Sequence, residues 1–180
     1  MELRKFGVTI EGERPLLMDA QPAMQPSKEG SQTKTLKQPN DVELSAYRMP
    51  GGNLCLPAEH VRKCFMYGAG FFKIGKRSAK TELKGLVWVE PEQLDFKQTK
   101  YEIDQRSVMR KDGLRTLKIR PRLDNWKLTF TLMVDHETVK LETLKNILIE
   151  SGRRCGLGSF RIQRDGTFGR FKVVKFMEET

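Results

Sequence analysis

"WKLTFTLMV" (126–134) alternates without a break: Trp126, Leu128, Phe130, Leu132 and Val134 all fall on one side. A period of two over this length predicts a half-buried β-strand. Directly after it the period changes. Leu141, Leu144, Ile147 and Leu148 recur at helical spacing. Gly152 is a suitable stop, and Arg153 and Arg154 favour the negative end of that helix's dipole. "GLGSFRIQRDGTFGRF" (156–171) then packs four glycines, three arginines and three phenylalanines together, and "FGRFKVVKFM" (168–177) reads as a last strand.

This strand–helix–strand unit has a counterpart upstream. "RKFGVTIE" (4–11) puts Phe6, Val8 and Ile10 on one face, and "RPLLMD" ends that strand. "LSAYRMPGGNLCLP" (44–57) reads as two short extended pieces around a Pro-Gly-Gly turn. After Pro57, which suits a first helical turn, Val61, Cys64, Phe65, Gly68 and Phe72 repeat at helical spacing. "LKGLVWVEP" (83–91) is rich in β-formers and closed by Pro91. Two stretches fall outside the two units. Residues 19–42 hold Pro22, Pro26 and Pro39 with no apolar period, and are expected as a mobile loop. Residues 101–122 form two extended arms around "RKDG", a basic β-hairpin with Leu117 and Ile119 on one face and Lys118, Arg120 and Arg122 on the other. Without the hairpin the order is βαββαβ. The expected fold is α+β: one ferredoxin-like, RRM-like domain over 1–180 with an inserted basic hairpin. That fold hosts many functions and decides none.

The charge is uneven. Net charge is +10, yet segments 73–80, 105–122 and 152–176 hold 18 of the 33 basic residues and only 2 of the 23 acidic ones. The rest of the chain is mildly acidic. Basic clusters against such a background suggest a polyanion track, whereas a uniformly basic surface would suggest only solubility. No apolar run approaches the ~20 residues of a membrane span, and the N-terminus has no signal-peptide block. Three sparse cysteines (Cys55, Cys64, Cys155) suit buried thiols. A cytoplasmic protein without membrane contact is expected.

Several chemistries fail on spacing. "GLGSFR" would need a third glycine at Arg161 and follows a helix, so it is no dinucleotide fingerprint. "GFFKIGKR" (70–77) has Arg77 where a phosphate-binding loop needs Ser or Thr for magnesium. Lys73, Lys76 and Arg77 remain as point charges for phosphate. With no Cys-x-x-Cys pair, neither a metal nor a cofactor is expected. Asp19 and Asp41 read as solvated loop carboxylates. In the glycine-rich stretch, aromatic and basic residues interleave, as in grips on single strands: bases stack on rings while arginines hold phosphates. Phe160, between Ser159 and Arg161, is the better stacking candidate; Phe168 and Phe171 are candidates for the core of the last strand.

"GLGSFRIQRDGTFGRF", "VTIEGERPLLM" and "YRMPGGNLCLPAEHVRKCF" together resemble the RAMP superfamily, which includes backbone subunits and crRNA-processing nucleases of CRISPR systems. Its members share a ferredoxin-like core and a glycine-rich loop between the second core helix and the last strand. One departure stands out: Ala58, Glu59 and His60 follow the proline where the family often has small Gly-Ser-Ser-type residues. The hairpin "RSVMRKDGLRTLKIR" looks like the thumb with which backbone subunits separate blocks of bound RNA. The resemblance implies single-stranded nucleic-acid binding and head-to-tail filament assembly. At this length a stand-alone relative from a virus, plasmid or other mobile element fits.

The residues expected to meet nucleic acid are therefore Gly156, Gly158, Phe160, Arg161, Arg164, Gly166, Gly169 and Arg170 in the loop. With them go Lys73, Lys76 and Arg77 after the first helix, and Arg106, Arg110, Lys111, Arg115, Lys118 and Arg120 in the hairpin. The leading expectation is a sequence-tolerant binder of single-stranded RNA or DNA that forms a homo-oligomeric helical filament. One rival is a metal-independent endoribonuclease using His60 as general acid or base, since the 2′-hydroxyl supplies the nucleophile. Another is a virion or interaction protein whose basic face meets an acidic partner.

Overall fold

The computed structural model describes residues 3–20, 39–109 and 111–179. The chain opens with β1 (Arg4–Gly12) and β2 (Leu16–Leu17), then a 3₁₀ turn (Pro39–Ser45), β3 (Cys55–Pro57) and α1 (Ala58–Ala69). A small hairpin, β4 (Lys73–Ile74) and β5 (Arg77–Ser78), leads to α2 (Ala79–Glu82), β6 (Val87–Glu90) and β7 (Gln93–Asp95). The large hairpin is β8 (Glu102–Met109) and β9 (Arg115–Leu123). It is followed by β10 (Lys127–Val134), α3 (Leu141–Arg154), a second 3₁₀ turn (Ile162–Arg164) and β11 (Phe171–Glu179).

The alternating strands build the core. β10 lies opposite β1, antiparallel, so that Phe6 meets Leu132, Val8 meets Phe130 and Ile10 meets Leu128. All six side chains are buried. The four-stranded sheet runs β11-β1-β10-β6. Counting only these four strands, that order is last, first, third, second, which is the ferredoxin-like arrangement of βαββαβ. α1 and α3 cover the inner face with Val61, Cys64 and Phe65 from one and Leu144, Ile147 and Leu148 from the other. Each large apolar side chain enclosed here contributes about 1.5–3 kcal/mol. Among the described residues no helix is long and apolar enough to cross a membrane.

The two helices touch where α1 has no side chain. A Cβ on Gly68 would lie 2.0 Å from Ser151 Oγ and 2.7 Å from the Ile147 carbonyl oxygen. Ser151 Oγ is itself held there, donating to that carbonyl at 2.7 Å.

The structure departs from the sequence reading in instructive places. Trp126 precedes β10 and turns inward, its indole N–H donating to the Arg14 carbonyl at 2.9 Å. α1 stops at Ala69, and Phe72 packs on the core from beyond the helix end. "RPLLMD" does more than end a strand. Leu16, Leu17 and Met18 are fully enclosed, and β2 pairs with β9, making a three-stranded sheet β2-β9-β8. The hairpin's faces are only partly as expected: Ile119 is buried as the alternation requires. Leu117 is 45% exposed whereas Arg120 is 4% exposed, because β2 and the segment after it cover the base of the hairpin and leave its outer half bare. Of the segment 19–42 expected as a loop, 21–38 lie outside the described residues. Ala20 is buried, its N–H donating to the Ser45 carbonyl at 2.9 Å.

Gly68→Ala is expected to push α1 from α3 and cost about 1–3 kcal/mol. A urea titration followed by circular dichroism should show the lowered midpoint, while Gly51→Ala, where nothing lies within 4 Å, should leave it in place.

Candidate nucleic-acid interface

The glycine-rich stretch is a closed loop pinned at both ends. The Leu157 N–H donates to the Gly169 carbonyl at 2.9 Å, and the Gly169 N–H to Pro15 at 2.8 Å. The Ser159 N–H reaches the Leu17 carbonyl at 2.8 Å, so β2 is the floor under the loop. Gly169 adopts φ +74°, and a Cβ there would lie 1.8 Å from the Leu157 carbonyl oxygen. Only glycine allows both the left-handed backbone and the close approach. The amides of Gly156 and Gly166 are likewise committed, to Ser151 and Arg161. These glycines therefore shape the loop.

A cavity of about 370 Å³ opens between this loop and the start of α1. His60, Lys63 and Cys64 line it from the helix; Cys155, the backbone of Gly156 to Gly158, Arg161 and Gln163 line it from the loop. Arg161 is fixed in place, donating from Nη1 to the Gly158 carbonyl at 3.2 Å and from Nε to Gln163 Oε1 at 3.0 Å. Cys155 Sγ donates to the same Gln163 oxygen at 3.3 Å. Burial holds the His60 imidazolium acid below its ordinary value. The positive charges of Arg161 and Lys63 add to this, and Glu59 opposes it weakly. At neutral pH His60 is a neutral imidazole, its ring 5.5 Å from Tyr47 and edge-on to it. Burial pushes the Cys64 thiol up, so it keeps its proton and donates it to the Ser151 carbonyl at 3.5 Å. The neighbouring Cys64, with Arg161 beside it, holds the Cys155 thiol below its ordinary range.

Beside the cavity the loop meets the hairpin through edge-on rings and cations. Phe160, at φ +54° and 37% exposed, packs edge-on against Phe168 at 6.3 Å. The Arg106 guanidinium lies 5.5 Å from the Phe160 ring and 4.6 Å from the Phe168 ring, and Arg122 lies 5.9 Å from Phe168. Arg106 is oriented by Asp104, Nε donating to Oδ2 at 2.7 Å. Phe168 and Phe171 are both buried, which leaves Phe160 as the loop's accessible ring.

The expected basic residues divide by partner. Arg120 is removed from the accessible set: it is buried, its Nε 3.5 Å from Asp19, and burial lowers its pKa. Lys118 binds the same carboxylate at 2.9 Å but stays 41% exposed. Asp19 is thus an ion-pair centre, not a solvated loop carboxylate. Arg170 donates to Glu13 at 2.7 Å, and Arg77 lies 3.4 Å from Glu82. Lys73, Lys76, Lys111, Arg115 and Arg164 are exposed, and Arg110 lies outside the described residues. The β4–β5 hairpin is tied to the end of α3 by Arg154, whose guanidinium sits 4.7 Å from the Phe71 ring. Lys63 and Gln163 were not legible as site residues. Lys63 lies one helical turn from His60, so the i, i+3 spacing was the available signal.

No family model matches the chain, and no curated protein matches it. Its fold is that of a chain in an RNA-bound assembly. The cryo-EM structure of the type III-B Cmr-beta bound to cognate target RNA holds a chain that matches with a TM-score of 0.59 at 13% identity. The match covers 98% of this chain and 61% of that one, so this chain spans less than two thirds of its neighbour's length. At this identity the likeness is one of fold.

Replacing Lys63 with Met removes one of the charges that depress His60. The His60 resonance in a proton–carbon NMR titration should then move at a higher pH than in the parent protein. With only two histidines in the chain, a His136 variant assigns it.

Proposed function

We propose that this chain is a RAMP-like protein that binds single-stranded nucleic acid, RNA first, and assembles side by side along it. The observation that carries the reading is convergence. The glycine-rich loop and the first core helix, far apart in sequence, enclose one cavity lined by Lys63, Arg161 and His60. The inserted hairpin meets the same loop at Phe160, next in the chain to Arg161. The fold likeness to a chain of an RNA-bound assembly supports it and favours RNA.

In this reading the loop's side chains face the strand. Lys63 and Arg161 neutralise a phosphate in the cavity, and the exposed Arg164 meets the next. A base stacks on Phe160, whose other neighbours, Phe168 and Arg106, hold the ring in place. The exposed hairpin residues Lys111 and Arg115, and the basic β4–β5 turn with Lys73 and Lys76, extend the track. Because the grip is on phosphates and ring faces, it tolerates sequence.

Fluorescence anisotropy with a short single-stranded RNA should show affinity falling steeply with salt. Lys63→Ala combined with Arg164→Ala should weaken binding alike for different sequences. The salt slope should fall by about one for each phosphate that is no longer neutralised. Binding that is absent at low salt, or indifferent to salt, would overturn the reading.

A second reading has its own observation, the neutral His60 between two cations in the same cavity. A neutral imidazole there can accept the proton of an RNA 2′-hydroxyl while Lys63 and Arg161 stabilise the charge that develops on the phosphate. Cleavage would need no metal. Incubation with structured RNA in EDTA should then yield fragments with cyclic phosphate ends, absent with His60→Ala. RNA left intact by the parent protein removes this reading.

A further inference from the structure

All three cysteines are buried free thiols, and two of them share a wall. Cys64 on α1 and Cys155 at the end of α3 both line the cavity beside the glycine-rich loop, whereas Cys55 sits in β3 and does not line it. Helix packing brings the pair together. With no side chain at Gly68, α1 comes to backbone distance of α3. The Ser151 carbonyl oxygen then serves both helices. It accepts the Cys155 N–H at 2.9 Å and the Gly156 N–H at 3.0 Å, and from across the interface it accepts the Cys64 thiol at 3.5 Å. A single carbonyl oxygen thus links the Cys64 sulfur to the Cys155 amide.

The two sulfurs have different surroundings. Cys155 Sγ donates to Gln163 Oε1 at 3.3 Å, and the same oxygen takes Arg161 Nε at 3.0 Å, so a guanidinium stands next to this sulfur. Cys64 and Arg161 hold the Cys155 thiol below its ordinary range against the effect of burial. Burial holds Cys64 above its own, and burial with Asp95 does the same to Cys55. Because the thiolate is the nucleophile, Cys155 is the reactive member of the three. Neither nucleic-acid binding nor the cleavage reading uses this sulfur.

We infer that Cys155 is an oxidation site for small hydroperoxides, and that Cys64 closes the product into an intramolecular disulfide on the cavity wall. In the first step the Cys155 sulfur attacks one peroxide oxygen. An S–O bond forms and the O–O bond breaks. The sulfur gives up two electrons, and the departing oxygen takes the thiol proton and leaves as water or an alcohol. The cavity, about 370 Å³ and open to solvent, admits such a molecule, and its lining residues Arg161 and Lys63 supply positive charge for the departing oxygen. In the second step the Cys64 sulfur attacks the sulfenic sulfur of Cys155. An S–S bond forms, the S–O bond breaks, and the hydroxide leaves as water with the Cys64 proton. In sum, two thiols and one hydroperoxide become a disulfide, one water and a second water or an alcohol. The disulfide removes the S–H that Gln163 accepts, and so alters the support of Arg161. The inference rests neither on the grip on nucleic acid nor on cleavage.

The reduced full chain, freed of reductant, is treated with one equivalent of hydrogen peroxide, unfolded in N-ethylmaleimide and weighed by mass spectrometry. The product should carry one maleimide in place of three, and a tryptic map should join the peptides of Cys64 and Cys155. Dithiothreitol should restore all three thiols. Cys155 should be consumed about tenfold faster than Cys55 or more, because the rate follows the thiolate fraction. Cys64→Ala should halt the reaction at a sulfenic acid on Cys155, which dimedone captures, and Cys55→Ala should leave the crosslink in place. Three maleimides after peroxide, a crosslink between two chains in place of one within a chain, or Cys55 oxidised as fast as Cys155 would each sink the inference. The thiol count and peptide map of the parent protein decide it even where a variant fails to fold.

Discussion

Leu157 and Gly169 touch backbone to backbone, and the cleft depends on that contact. It closes the glycine-rich loop on itself. The Gly169 amide then reaches Pro15, and Ser159 reaches Leu17, so the closed loop is laid on the turn that follows the first strand. Everything else in the cleft follows. Arg161 is held by the loop's own Gly158 carbonyl and by Gln163, and Phe160 is brought over Phe168. A side chain on Gly169 would open this closure first and displace the cationic residues second, although it touches none of them.

The second constraint is the missing side chain at Gly68. Because α1 meets α3 there at backbone distance, the segment one turn earlier in α1 lies against the segment one turn later in α3. Cys64 faces Ser151 and Cys155, and His60 and Lys63 come to the loop that α3 feeds. The cavity is thus a consequence of helix packing. Its chemistry differs by group: burial, aided by Arg161 and Lys63, keeps the imidazole neutral, whereas the neighbouring Cys64, aided by Arg161, lowers the Cys155 thiol against the effect of burial. An arriving polyanion would offset that charge and raise the His60 pKa, so binding and protonation reinforce one another.

The alternating strands and the two helices were legible in the sequence because their pattern is local: each side chain's face is set by the period of its own element. The loop was legible in content and place; that the amides of Gly156, Gly166 and Gly169 are consumed internally was not, because their partners lie across the loop and in the turn after the first strand. What was not legible is what depends on pairing across the chain. β2 is two residues long, too short for any period, yet it joins the hairpin to the core. That pairing decides that Arg120 is enclosed beside Ile119 and Leu117 is not, which alternation alone did not suggest. Lys63 was missed because its i, i+3 spacing from His60 points to no site until the loop that faces it is known.

The hairpin gains a division of labour from the same pairing. At its base Asp104 holds Arg106, Asp19 holds Lys118 and Arg120, and Arg106 and Arg122 sit on Phe168. These charges are mutually neutralised, and in a partly enclosed setting removal of a carboxylate would leave a buried cation uncompensated. The outer half is open: among the described residues Met109, Leu114 and Leu117 are bare, with Lys111 and Arg115 exposed beside them. A device that must project from a fold and still keep a fixed angle needs a base rigid through ion pairs and a tip free to meet a partner. Charge at the base serves structure, so the count of basic residues in the hairpin overstates what it presents to solvent.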